Sequence, residues 1–121
     1  MLLVGTVSGA ANAALSQCSS GNLCLWLSND YSGGFDQSTG YIILGAVYNN
    51  QTDSVASYGN VNCAQFFDRQ DLTGENIYFS RPGRGGTYRD PNLGNGGGYG
   101  STAHLPWNHK IGSANWRTCP F

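Results

Sequence analysis

Four cysteines do most to restrict the chemistry of this chain. They are Cys18, Cys24, Cys63 and Cys119. An even number of cysteines in a short chain of 121 residues indicates two disulfides. Three pairings exist. We favour Cys18–Cys24, which closes a tight Ser-Ser-Gly-Asn turn, and Cys63–Cys119, which ties the middle of the chain to its end.

Catalytic chemistry finds little support in the sequence. A zinc site that combined these sulfurs with His104 and His109 is disfavoured because the chain has no Cys-x-x-Cys pair. A disulfide-bonded sulfur cannot act as a nucleophile, and the hydrolase patterns Gly-x-Ser-x-Gly, His-Glu-x-x-His and Ser-x-x-Lys are missing. We therefore predict that the protein is not an enzyme and requires no cofactor.

Composition indicates one β-rich domain. The chain contains 18 glycines and 12% aromatic residues but only 11% charged residues, which suits short strands and many turns around an aromatic core. Six Lys and Arg oppose seven Asp and Glu, and this net charge of −1 argues against nucleic acid as a partner. We expect a monomer.

The first thirteen residues resemble an export signal. This apolar run ends in Ala11-Asn12-Ala13, a small-x-small pattern of the kind that signal peptidase cleaves, so we predict a signal peptide at 1–13, a mature chain of 14–121 and a secreted protein. A buried N-terminal strand or short helix is the alternative. No other segment approaches the roughly 18 apolar residues that a membrane-spanning helix requires.

An internal repeat predicts the architecture. At an offset of 41 residues, Trp26 matches Phe67, Tyr31 matches Leu72 and the glycine at 33 matches the one at 74. Each copy contains a strand that ends in an aromatic residue, a polar turn, a large apolar residue and a glycine. This order predicts a strand–turn–strand unit in which the apolar pair clamps the hairpin and the glycine adopts a positive φ.

A second similarity follows each unit. The stretch 52–57 resembles 108–113 at an offset of 56 residues, so the second copy has about fifteen extra residues. We assign these to a Gly-rich insertion at 81–100, which we expect to be an irregular loop after a strand at 76–80. We expect Gly97 in this insertion to tolerate a side chain.

These features resemble the βγ-crystallin superfamily, in which an aromatic-x4-aromatic-x-Gly corner precedes an [Asn/Asp]-[Asn/Asp]-x-x-[Ser/Thr]-Ser stretch in each Greek key. The resemblance implies an all-β domain of two Greek-key motifs, at about 18–60 and 61–119, stabilised by disulfides. The Cys-x5-Cys-Leu-Trp opening, the terminal cysteine and the export signal are more particularly similar to the secreted bacterial peptidase inhibitors typified by the Streptomyces metalloproteinase inhibitor.

This resemblance implies a secreted peptidase inhibitor that inserts a rigid loop into a protease active site. In the resembling inhibitor the reactive bond follows a cysteine in the second half of the chain, and Cys63–Ala64 is the corresponding bond here. The Gly-rich insertion offers a second partner-binding surface. Its candidate contact residues are Arg81, Arg84, Tyr88, Arg89 and Tyr99. The alternative is a non-inhibitory βγ-crystallin-like module, either a killer-toxin-like antimicrobial or a stress-related structural protein.

The resemblance also raises the question of calcium. On the offset of 56, the fifth position of the later stretch is Ala56 in one copy and Gly112 in the other, and neither has a side-chain oxygen. We therefore expect weak calcium binding at most, with Asp53 and Ser57 as the candidate ligands. The alternative is that Ser57 and Ser113 only bond backbone groups.

Overall fold

The structure, a computed structural model, describes residues 15–120, so the predicted signal peptide lies outside the described residues. The described chain forms eight strands and two short 3₁₀ turns. The strands are β1 (Leu23–Ser28), β2 (Ser32–Ser38), β3 (Ile42–Ile43), β4 (Ser54–Ser57), β5 (Cys63–Phe67), β6 (Asn76–Phe79), β7 (Arg89–Asp90) and β8 (Ser113–Arg117). The 3₁₀ turns are Leu15–Gln17 and Leu93–Asn95. None of the described segments is a helix of the length and apolarity that crossing a membrane requires.

The strands form two four-stranded antiparallel sheets, ordered β2-β1-β4-β7 and β3-β8-β5-β6. Each sheet takes three strands from one half of the chain and the third strand of the other half. β3 of the first key pairs with β8, and β7 of the second key pairs with β4. The predicted fold, an all-β domain of two Greek keys, is confirmed.

The core lies between the two sheets. Strand alternation directs Leu23 and Leu25 of β1 and Phe66 of β5 into it, where they meet Trp107, and all four are fully buried. Burial of each large apolar side chain stabilises the fold by about 1.5–3 kcal/mol. The opposite face of β1 carries Trp26, which is also fully buried and whose indole Nε1 donates to Gln17 Oε1 at 3.1 Å. The N-terminal 3₁₀ turn thereby covers the outer face of this sheet.

The predicted repeat unit is confirmed in both keys. Trp26 and Tyr31 clamp the first hairpin, with ring centroids 5.1 Å apart and an edge-on geometry. Tyr31 and its match Leu72 both have a left-handed backbone, with φ of 57° and 63°. The following glycines have φ of 78° at Gly33 and 97° at Gly74, as the repeat predicts.

The offset of 56 for the later stretch is wrong by three residues. Trp26 of β1 faces Ser54, whereas its match Phe67 of β5 faces Ser113. Ser54 rather than Ser57 is therefore the counterpart of Ser113, and the two keys are related here by 59 residues.

The Gly-rich insertion is also more ordered than predicted. It contains β7 and the 3₁₀ turn Leu93–Asn95, and the side chain of Leu93 is fully buried in the core. The expectation that Gly97 tolerates a side chain is wrong, because a Cβ atom there would collide with Oδ2 of Asp90. The insertion therefore supplies the third strand of the second key and part of its packing.

The favoured disulfide pairing is confirmed. Cys18–Cys24 and Cys63–Cys119 are both formed, with Cα–Cα distances of 5.8 and 5.0 Å. All four cysteines are therefore in disulfides. Each disulfide joins two cysteines of the same key.

Candidate functional site

The Cys63–Ala64 bond lies inside the domain. Both residues are fully buried in β5, where Ala64 pairs with Phe79 on one side and with Trp116 on the other. The Ala64 N–H also donates to Ser57 Oγ at 3.1 Å. A protease active site cannot reach this bond in the folded protein, so the expectation that it is the reactive bond is not compatible with the structure.

The segment just before Cys63 has the opposite character. Residues 59–62, which we call the inter-key turn, connect β4 to β5 and contain Val61 with 73% of its surface exposed. Asn60 and Asn62 are exposed on either side of it. An apolar side chain therefore projects from the turn into solvent between two polar residues.

The inter-key turn is held by contacts on several sides. The Arg81 guanidinium donates from Nε to the Val61 carbonyl at 3.1 Å, and Ser20 Oγ donates to Asn60 Oδ1 at 3.2 Å. Gly59 is buried so close to the Asn62 carbonyl and the Trp116 ring that a side chain would not fit. The Cys63–Cys119 disulfide fixes the residue that follows the turn. These contacts restrain the backbone of the turn.

A cleft lies on each side of the turn. The larger, about 420 Å³, is the Tyr58 cleft, and its lining residues are Cys18, Ser20, Tyr58, Gly59, Asn60, Pro82 and Tyr88. The smaller, about 220 Å³, lies against Thr39 and Trp116. The turn is consequently a ridge, which is the shape that enters a concave active site.

The candidate residues of the insertion divide into two groups. Arg81, Arg84 and Tyr88 belong to residues 81–88, the insertion loop, and Arg89 follows it at the start of β7. Arg81 reaches the inter-key turn, and Tyr88 lines the Tyr58 cleft. Tyr99 plays a different part: its hydroxyl accepts from the Thr87 N–H at 2.8 Å and so supports the base of the insertion loop.

The positive charge beside the Tyr58 cleft comes from Arg89. The rings of Tyr58 and Tyr88 are 5.5 Å apart, and the Arg89 guanidinium lies 5.3 Å from the centre of the Tyr88 ring. Burial, with a smaller contribution from Tyr88, raises the pKa of Tyr58. Burial likewise raises the pKa of Tyr31 to about 12, against the opposing influence of Arg89. Both hydroxyls are neutral near pH 7, so the guanidinium supplies the charge of this cluster.

The calcium expectation changes with the corrected offset. Once Ser54 is matched with Ser113, the later stretch of the first key is 49–54, and its fifth position is Asp53 rather than Ala56. Ser57 lies at the other end of β4 and accepts from the Ala64 N–H, so it cannot share a ligand shell with Asp53. In the second key the same position is Gly112, which has no side-chain oxygen.

Asp53 carries the side-chain oxygen of the first key that suits calcium. Asp53 Oδ1 is buried without a hydrogen bond, and a carboxylate oxygen is a ligand that calcium takes. Asp53 Oδ1 lies 3.1 Å from Nε2 of His109 in the second key. Asn49 Oδ1 is also buried without a hydrogen bond, but it lies beside Gly112, so Asn49 and Asp53 face different residues of the second key. Asp53 is therefore the side-chain ligand that the first key offers to calcium.

Sequence reasoning missed the inter-key turn. The available signal is Val61, an apolar residue flanked by two asparagines and placed two residues before a cysteine. Such a residue in a polar connection has no core to fill, and the nearby disulfide restricts the backbone beside it. The turn lies at the junction of the two predicted keys, where the repeat comparison contains no matched residues.

Comparison with known proteins places the chain among protein inhibitors. The model of peptidase inhibitor family I36 matches residues 11–79, which include the first key, the inter-key turn and the first two strands of the second key. The Gly-rich insertion follows the matched region. No curated protein sequence matches the chain.

Solved structures of βγ-crystallin type have the same fold. A βγ-crystallin of Ciona intestinalis aligns over 79% of this chain and 99% of its own, with 14% identity and a TM-score of 0.56. An archaeal βγ-crystallin aligns over 82% and 100%, with 12% identity and a TM-score of 0.57. Spherulin 3a of Physarum polycephalum aligns over 86% and 89%, with 19% identity and a TM-score of 0.53.

Proposed function

Because the chain belongs to peptidase inhibitor family I36, we propose that it is secreted and inhibits a metalloproteinase by placing the inter-key turn in the protease active site. The family is one of inhibitors, and the protein is accordingly a protease-binding protein rather than an enzyme. Metalloproteinase is the preferred target class because of the resemblance to the Streptomyces metalloproteinase inhibitor.

The exposure of Val61 on a restrained ridge is the observation that carries this proposal. A side chain that is 73% exposed is free to enter an apolar specificity pocket, and the carbonyl of the same residue is held by Arg81 at 3.1 Å. A loop that is already ordered loses little conformational entropy on binding, so more of the contact energy appears as affinity. The restrained backbone also opposes the rearrangement that completion of hydrolysis requires.

Secretion is supported by the two disulfides, because such bonds persist in oxidising compartments. The apolar run at 1–13 supplies an export signal. The predicted cleavage after Ala13 leaves the 3₁₀ turn Leu15–Gln17, which covers Trp26, within the mature chain. Processing at that position would therefore preserve the packing of the first sheet.

The test is titration of the oxidised mature protein against a thermolysin-like metalloproteinase, a subtilisin-like protease and a trypsin-like protease. We expect tight inhibition of the metalloproteinase. Val61→Asp should weaken it by at least about 100-fold, which corresponds to about 2.7 kcal/mol. Val47→Asp is the matched control, because Val47 is 75% exposed but lies in another loop.

Three results would contradict the proposal in different ways. If the protein inhibits none of the three proteases, the proposed inhibitory function is wrong. Inhibition of only a serine protease would overturn the target class. Equal inhibition by the Val61→Asp and Val47→Asp proteins would show that the inter-key turn is not the inhibitory segment.

A further inference from the structure

The small net charge conceals a strong separation of charge along the chain. Up to residue 75 the chain contains six of its seven acidic residues and only Arg69 as a basic one. After residue 75 it contains the other five basic residues, and the one acidic residue is Asp90, which is only 8% exposed. The net charge of −1 is therefore the sum of two oppositely charged parts.

In the folded protein, this separation of charge along the chain becomes a difference in charge between the two ends of the domain. We define the turn end as the end where β1 and β5 begin and β4, β6 and β8 finish; it includes the inter-key turn. The charged residues of this end are Arg81, Arg84, Arg89 and Arg117. At the opposite end lie the two hairpin corners and the start of β4, with the acidic residues Asp30, Asp53, Asp68, Asp71 and Glu75 and the basic residues Arg69 and Lys110. Asp36 pairs with Leu25 in the middle of β2 and belongs to neither end.

The arginines of the turn end are not neutralised by carboxylates of the described residues. The close contacts between basic and acidic side chains among residues 15–120, His109 with Asp53 and Lys110 with Glu75, both lie at the opposite end. Arg89 and Arg117 instead lie over the Tyr88 and Tyr78 rings, at 5.3 and 4.4 Å. Arg84 is exposed on the insertion loop. Such a set creates a positive potential that attracts acidic partners.

The Tyr58 cleft gives this positive end a recess for a side chain. Its volume of about 420 Å³ falls within the range of binding pockets, and two tyrosine rings and Pro82 supply apolar walls. Asn60 and Ser20 add hydrogen-bonding groups at its edge. A segment with an apolar side chain between carboxylates matches both the recess and the surrounding charge.

We propose that the turn end docks on an acidic segment of the target protease, with an apolar side chain of that segment in the Tyr58 cleft and its carboxylates against Arg84 and Arg89. This inference rests on the proposed function. Docking of this kind favours metalloproteinases that have an acidic surface beside the active site. The inter-key turn and the Tyr58 cleft then form two adjacent contacts with one partner.

The test measures association and dissociation rates with a metalloproteinase that the wild-type protein inhibits, as a function of salt concentration. We expect the association rate to fall steeply with salt and the Arg84→Glu protein to associate at least about 10-fold more slowly. Tyr88→Ala should mainly increase the dissociation rate. Arg69→Glu, at the opposite end, is the matched charge control and should associate like the wild type.

The outcomes separate this inference from the proposed function. Inhibition with salt-independent association, or with equal rates for the Arg84→Glu and Arg69→Glu proteins, would overturn the acidic docking surface and leave the inhibitory function intact. Binding to phosphatidylglycerol vesicles that Arg84→Glu abolishes, with unchanged protease association, would overturn it in favour of an anionic lipid surface. Failure of wild-type inhibition would overturn the proposed function, and the docking inference with it.

Discussion

Ser54 and Ser113 make the same two hydrogen bonds in the two keys. Ser54 Oγ accepts from the Tyr31 N–H at 3.1 Å and donates to the Ser28 carbonyl at 2.8 Å. Ser113 Oγ accepts from the Leu72 N–H at 3.0 Å and donates to the Arg69 carbonyl. Each serine thus ties the start of the fourth strand of its key to the corner of the first hairpin.

Replacement of either serine by alanine should destabilise the fold. Ser54→Ala and Ser113→Ala each leave a partly buried backbone N–H without its acceptor, which costs about 1–3 kcal/mol. Ser32→Ala is the control, because the Ser32 hydroxyl bonds at an exposed site and its loss should change the free energy of unfolding by less than about 0.5 kcal/mol. Urea denaturation measures all three. Similar losses at all three positions would contradict the role of the paired serines.

Gly97→Val should be strongly destabilising. The new side chain meets Oδ2 of Asp90 beside β7, so the insertion must shift, at a cost of about 1–3 kcal/mol. Gly45→Ala is expected to be silent, because no atom lies within 4 Å of a Cβ at that position. Thermal unfolding monitored by circular dichroism compares the two. A Gly97→Val protein that melts like the wild type would contradict the packing of the insertion.

The two disulfides should contribute unequally to stability. In the loop-entropy account, loss of Cys63–Cys119 removes roughly 4 kcal/mol, whereas loss of the shorter Cys18–Cys24 link removes roughly 2 kcal/mol. Paired substitutions of both cysteines by alanine avoid unpaired thiols. Denaturant titration of the two double variants gives the comparison, and equal midpoints would contradict the expected order.

Asp90 should make the stability of the protein depend on pH. Burial raises its pKa above the usual 3.8, although a hydrogen bond from the Asn92 N–H partly opposes the rise. The protonated form is therefore favoured in the folded state, so its contribution to stability is present below the usual pKa and is lost as pH rises through the raised value. As pH rises, the melting temperature of the Asp90→Asn protein should increase relative to that of the wild type. Parallel curves for the two proteins would contradict this.

Calcium should bind weakly at the first key, through Asp53. We expect calcium to raise the melting temperature of the wild type and the Asp53→Ala substitution to abolish the shift, because it removes a charged oxygen ligand. At a calcium concentration equal to the dissociation constant the gain is about 0.4 kcal/mol. Asp71→Ala, which changes an acidic residue in a hairpin corner, is the control. A calcium shift that survives Asp53→Ala would show that the ligands lie elsewhere.

The sequence predicts the hairpin corners well because their geometry is local. Trp26, Tyr31 and Gly33 act within one turn, and their spacing alone specifies the clamp and the positive φ. The later stretch is different, because it contains both Ser54 and Ser57 and only the pairing of β4 with β1 distinguishes them. Sheet register depends on contacts between segments remote in sequence, which a comparison of repeats does not contain.

The sequence does not predict the third strand of the second key, for a related reason. β7 contains two residues, Arg89 and Asp90, in a Gly-rich segment, too few to show an alternating pattern. It is a strand only because β4 of the other key offers an edge for it. The sequence marks Val61 as an apolar residue between two asparagines, but the exposure of its side chain on the inter-key turn is known only from the structure.

The exchanged third strands determine what becomes of the inhibitor if a protease cuts it. Hydrolysis within the inter-key turn would produce two fragments with no covalent link, because each disulfide lies inside one key. Each fragment would nevertheless keep a strand in the sheet of the other, β3 beside β8 and β7 beside β4. The new chain ends would remain side by side, so the nicked molecule would stay in one piece and the reverse reaction could reseal the bond.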